Sequence, residues 1–141
     1  MQEKEDLSRL IDNYLIKLSF KIKSVGFEYI KKAIMLCYEN NELLDRVTKN
    51  LYPTVGNNFG VTGAMVERSI RHAIEEVHKE SGFLELNTIF DALIYRNDYR
   101  FSNSELISLI VSKLKIDLNK DKILKKYNLE LPKEKTEDIY C

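Results

Sequence analysis

Between Val66 and Ile74 the chain places Glu67, Arg68, Arg71 and His72 among apolar Val66, Ile70, Ala73 and Ile74. If the run is helical, its 3.6-residue period gathers the four apolar residues on one face and turns the charged four outward. The first half of that helix then presents two guanidiniums and one carboxylate. Arginine matches the paired acceptors of guanine, and a carboxylate can accept from the amino group of cytosine. This is the chemistry of reading base edges, in the part of a helix that meets them in helix-turn-helix proteins. A plain helical hairpin with a solvated charged face carries the same pattern, and from the residues alone both readings stand.

Bond-making chemistry finds less to work with. His72 and His78 are six residues apart, on different faces of a helix, whereas helical metal ligands favour spacings of three or four. Glu75, Glu76, His78 and Glu80 read as a solvated patch. Gly56, Gly60 and Gly63 lack the Lys-Ser or Lys-Thr of a phosphate-cradling loop. Cys37 lies in an apolar stripe, where a thiol packs rather than attacks. Cys141 is far away in sequence, so neither a disulfide framework nor a metal-ligand spacing is present. The expectation is no enzyme, no cofactor and no metal.

Positioning that face requires helices. Leu7, Leu10, Ile11, Tyr14, Leu15 and Leu18 recur at threes and fours, predicting an amphipathic helix over 6–22. Its stripe either docks on its own domain or forms a two-helix seam with a second copy. Phe27, Ile30, Ala33, Ile34, Cys37 and Tyr38 predict the next helix, punctuated by Asn40 and Asn41. Leu43, Leu44, Val47 and Leu51 predict a third, running into Pro53, which suits the first turn of a new helix. That helix is short and stops at Gly60, which supplies a positive φ without steric cost. Gly56, one turn earlier, leaves room for a close crossing. The long helix spans 64–80, and Ser81-Gly82 ends it. Two more follow, over 86–94 and 103–115, the latter capped by Ser102 or Asn103 with Glu105 in its first turn. Beyond Leu118 the chain is highly charged, and Leu131-Pro132 opens a segment expected to be disordered.

Composition agrees with one all-α domain of six to seven helices. The chain has 141 residues, with only 5 Gly and 2 Pro, too few for a loop-rich sandwich. Its 22 basic and 22 acidic side chains cancel, so net charge argues for no polyanionic partner. No apolar run is long enough for a membrane span, and the start is no signal peptide. A reducing cytoplasm is the setting these features predict.

The quoted residues carry a resemblance. Leu51-Tyr52-Pro53 and the run Val66 to Glu75 resemble the DNA-binding effector domain of the stage-zero sporulation response regulator family. The likeness continues through Tyr29 to Ile34, Glu42-Leu43-Leu44, Ser102 to Glu105 and Lys113-Leu114, covering roughly residues 20–117. It implies an all-helical effector domain whose helix-turn-helix reads short boxes in double-stranded DNA. Glu67, Arg68 and Arg71 match positions where the family reads or grips DNA, and His72 matches the adjoining histidine. Where the family has a Ser-Arg pair this chain has Ala64-Met65, and Asn57-Asn58 replaces two lysines. The residues assigned to the DNA face are Thr62, Ala64, Met65, Glu67, Arg68, Arg71, His72 and Lys49.

The resemblance also implies contact with the sigma subunit of RNA polymerase through Asn87 to Asp91, pairing of copies on tandem sites, and a relation to the full-length regulator. The expected organisation is an N-terminal helix at 1–22 in place of a phosphorylatable receiver, the effector domain at 23–118, and a charged tail at 119–141. From this follows a stand-alone, sequence-specific transcriptional regulator. The rival reading is an interaction protein that has lost DNA affinity and sequesters the full-length regulator.

Overall fold

The computed structural model describes residues 2–96 and 98–129. Six α-helices carry it: α1 (Gln2–Lys17), α2 (Val25–Glu39), α3 (Tyr52–Phe59), α4 (Gly63–Lys79), α5 (Glu85–Phe90) and α6 (Asn103–Lys126). No strand occurs among the described residues, as an all-α sequence requires.

The core forms around α2, whose Ile30, Ala33, Ile34 and Cys37 are fully buried and which packs against α1, α3, α4 and α6. Each of the two isoleucines contributes roughly 1.5–3 kcal/mol by leaving water. At one end Gly26 of α2 lies against Ser69 and Ala73 of α4, and Asn103 of α6 reaches Glu67 of α4. At the other end Tyr38 of α2 and Leu118 of α6 line one groove. Hence α2 and α6 run side by side in the same direction, and both begin against α4.

The stripe of α1 docks on this core rather than standing free for a second copy: Leu7, Ile11, Tyr14, Leu15 and Leu18 are all buried. Two polar ties fix the docking. The Tyr14 hydroxyl donates to Asp117 of α6, and Lys31 Nζ of α2 lies 2.8 Å from Asp12 Oδ1. Burial and the Asp117 charge together push the Tyr14 phenol well above its ordinary pKa.

Several boundaries differ from the sequence expectation, each for a local reason. Helix α1 stops at Lys17, not Ile22, because Ser19 adopts a left-handed φ of 74° and Phe20 N–H bonds back to Leu15 O at 3.0 Å. This is the ending that glycine ordinarily supplies, made here by serine. The expected helix over 43–51 is instead a 3-10 turn (Asn41–Arg46) followed by a π turn (Val47–Leu51). Of its apolar residues only Leu51 is fully buried, while Leu43, Leu44 and Val47 lie partly exposed against the core, so packing holds the segment less firmly to α-helical pitch. Helix α5 ends at Phe90 rather than Ile94, with Asp91 left-handed at its cap. There the Asn87 side chain accepts from Ile94 N–H at 2.7 Å and Tyr95 N–H at 2.8 Å, drawing the chain back. Helix α6 continues past Lys115 to Lys126, so residues 119–126 are helical and the boundary at 118 marks no break. The segment from Leu131 onward lies outside the described residues.

Candidate nucleic-acid interface

The face built by α3, its turn and α4 follows from three local choices. Pro53 stands in the first turn of α3, where the missing N–H costs nothing. Gly60 closes α3 in the left-handed region at φ 69°. Gly56 lets the chain double back: a Cβ there would sit 2.3 Å from Val61 O, a distance no side chain tolerates. Thr62 then caps α4, its Oγ1 accepting from Met65 N–H at 3.2 Å.

Helix α4 divides as its period predicts. Val66, Ile70, Ile74 and Val77 are buried, while Ala64, Met65, Arg68, Arg71 and His72 are exposed and Glu67 is half-buried. At 100° per residue Arg68 falls near the middle of the outward face, with Ala64 and Met65 one turn before it and Arg71 and His72 one turn after. The two arginines differ in freedom. Arg71 Nη1 bonds Glu67 Oε1 at 2.7 Å along the helix, whereas Arg68 has no carboxylate partner among the described residues.

Two helix starts bracket this face. The first turn of α2, capped by Ser24, lies beside Ser69 and Ala73. The first turn of α6 carries a full capping box, Ser102 with Glu105. A hydrogen bond from the Tyr99 hydroxyl and the bonds to Ser102 hold the Glu105 carboxyl below its ordinary range. Each start also carries a carboxylate in its first turn, Glu28 in α2 and Glu105 in α6, which offsets the helix dipole there. Between α4 and α6 a groove of about 380 Å³ runs past Glu67, Arg71, His78, Ser102 and Ser104, with Val47 and Thr48 on its rim. Lys49, exposed in the adjoining π turn, is the next residue along the chain from that rim.

The structure therefore brings Thr62, Ala64, Met65, Glu67, Arg68, Arg71 and His72 onto one end and face of α4, while Lys49 is exposed on the π turn that precedes α3. Thr62 has a structural duty as well, since its oxygen is committed to the cap. Asn57 and Asn58 are exposed on α3, and Asn58 Nδ2 donates to Thr54 O at 2.8 Å. His78 departs from the solvated patch assigned to it: its side chain is only 8% exposed, and its ring lies edge-on to Tyr95 at 6.4 Å.

Sequence reasoning missed Asn103. It reads as a possible helix cap, but Ser102 takes the cap, and buried Asn103 donates through Nδ2 to Glu67 O at 3.1 Å. That bond ties α6 to the first half of α4. The only sequence signal was a second polar residue after an adequate cap.

Elsewhere catalytic groupings are sparse. Among the described residues no three His, Cys, Asp or Glu side chains come together as metal ligands. Cys37 is fully buried, and burial pushes its thiol up to about 11.

Comparison with known families decides the class. Residues 11–114 match the family described as sporulation initiation factor Spo0A C terminal. The chain belongs to that family. The family is the DNA-binding effector domain of sporulation regulators and not an enzyme family. All of α2 to α5 lies inside the match, together with the second half of α1 from Ile11 and the first half of α6. Outside it fall the first turns of α1 and the stretch of α6 that follows Leu114. No described helix is long and apolar enough to cross a membrane.

Proposed function

We propose that this chain reads a short box in duplex DNA through α4 and modulates transcription from it in the cytoplasm. The observation that carries the reading is Arg68, exposed at the middle of the outward face and free of any carboxylate among the described residues. Such a guanidinium is available to the two acceptors of one guanine. Arg71, held by Glu67, presents a pre-ordered pair whose carboxylate can turn to a cytosine amino group or whose guanidinium can turn to a phosphate. His72, Lys49 and the Thr62 hydroxyl stand where the backbone of the duplex would pass. A second copy on tandem boxes, the sigma subunit of RNA polymerase and the full-length regulator are the further partners this reading takes from the family.

Selection from a random duplex pool tests it. One enriched motif is expected, and Arg68→Ala should cost about 1–3 kcal/mol on that motif and relax a single base position. Equal retention of motif and scrambled duplex by the wild type would overturn the reading. The exposed Asn57, Asn58 and Met65, which bring no cation to the face, favour a second reading in that event. The chain would then act by pairing with the full-length regulator, and the test is its retention on immobilised regulator without DNA.

A further inference from the structure

We infer that the first turn of α4 reads a thymine methyl group beside the base taken by Arg68, with Met65 as the reading side chain and Ala64 closing the contact. This inference rests on the DNA-reading assignment of α4 and adds to it the identity of a neighbouring base.

The argument starts from which chemistry each position lacks. Ala64 and Met65 share the outward face with Arg68 and lie one turn nearer the N-terminus, where a reading helix first reaches the groove floor. Neither side chain can donate a hydrogen bond, and a thioether is only a weak acceptor. The Met65 N–H is already spent on Thr62 Oγ1. Met65 is nonetheless 47% exposed, with arginines and a histidine as its neighbours on the face. An apolar side chain in that setting gains only if it meets an apolar group.

In the major groove one base edge offers such a group, the C5-methyl of thymine. Methionine suits the contact: it is long, unbranched and adaptable, and its sulfur is polarizable. Alanine at 64 leaves room for the base step to approach the helix. A guanine for Arg68 with a thymine one turn of helix away follows as the core of the box.

The test uses the full chain and the box enriched from the random pool, with each thymine replaced singly by deoxyuridine, which removes the methyl and nothing else. At one position the replacement should weaken wild-type binding about fourfold, the worth of one buried methyl-sized group. Met65→Ala should bind the thymine box more weakly and lose that difference, while the scar of an Arg68→Ala change stays at a different base. Met65 is exposed, so the variant should fold; its helical circular dichroism serves as the control. Binding that is specific but indifferent to every deoxyuridine overturns this inference and leaves the DNA-reading assignment standing. A deoxyuridine effect that persists unchanged in Met65→Ala assigns the methyl to another side chain and also overturns it. Failure to enrich any box removes both.

Discussion

Two residues on the proposed DNA face are set apart by what they touch. Arg71 is paired with Glu67 at 2.7 Å, so moving it toward a phosphate first breaks an ion pair, whereas Arg68 has no such bond to break among the described residues. An exposed pair of this kind contributes little to stability, so its worth lies in the geometry it pre-sets. Glycine at 56 acts on the fold instead. A Cβ at that position would stand 2.3 Å from Val61 O and 3.2 Å from the carbonyl carbons of Val61 and Thr62. These are backbone atoms, which cannot swing aside as a side-chain tip would. Gly56→Ala should therefore destabilise the domain by about 1–3 kcal/mol or more, as overpacked sites do. Denaturant unfolding measures it, and a midpoint within error of wild type would mean that the α3–α4 turn relaxes more easily than its geometry states.

At the scale of elements, the start of α6 links stability to the site. Ser102 caps the helix, Glu105 closes the capping box, and the next residue, Asn103, holds the Glu67 carbonyl. Ser102→Ala should cost about 1 kcal/mol of stability. Because the same turn anchors α4, DNA affinity should fall with it. Stability is read by thermal unfolding and affinity by titration of the selected duplex at a temperature where the variant is fully folded. A loss of stability with affinity unchanged would separate the cap from the interface. The other end of α6 serves a different purpose. Its turns beyond Leu114 lie outside the family match and are tied to α1 through Tyr14 and Asp117, so the two flanking elements brace each other at the end of the domain remote from α4.

For the whole molecule the governing quantity is charge. The 22 basic and 22 acidic residues leave no net field to draw in DNA, and the exposed asparagines of α3 add no cation to the interface. Binding should consequently depend on salt only mildly. A slope of log affinity against log salt on the order of −3 to −5 is expected, at about −0.9 for each phosphate neutralised. Placing lysine at both Asn57 and Asn58, which are exposed and would accept it without repacking, should steepen the slope by up to about two. A slope much steeper than this in the unmodified chain would mean that lysines far from α4, such as Lys122 and Lys125 on α6, also meet the duplex.

What the sequence determined by itself was whatever a short period encodes. The buried faces of α1, α2 and α4 were legible because core residues repeat at three and four, and burial selects for that repeat wherever a helix lies on a core. The outward placement of Arg68 and His72 followed from the same periodicity, and Gly60 announced its turn because few other residues accept that φ. Tertiary structure alone decided the rest. Serine at 19 and aspartate at 91 end helices where glycine was absent, because surrounding contacts held a left-handed residue in place. The stretch 41–51 took 3-10 and π pitch where Leu51 is buried fully and Leu43, Leu44 and Val47 pack on the core only in part. Residues 119–126 continue α6 beside α1, where Lys122 Nζ lies 3.8 Å from Glu3 Oε1, a neighbour more than a hundred residues away that no local pattern reports. Asn103 reaches across to a carbonyl on another helix, and His78 turns its ring from solvent toward Tyr95. Periodicity tells which face of an element is buried; which element covers it, and which polar atom crosses between them, is fixed only when the chain closes on itself.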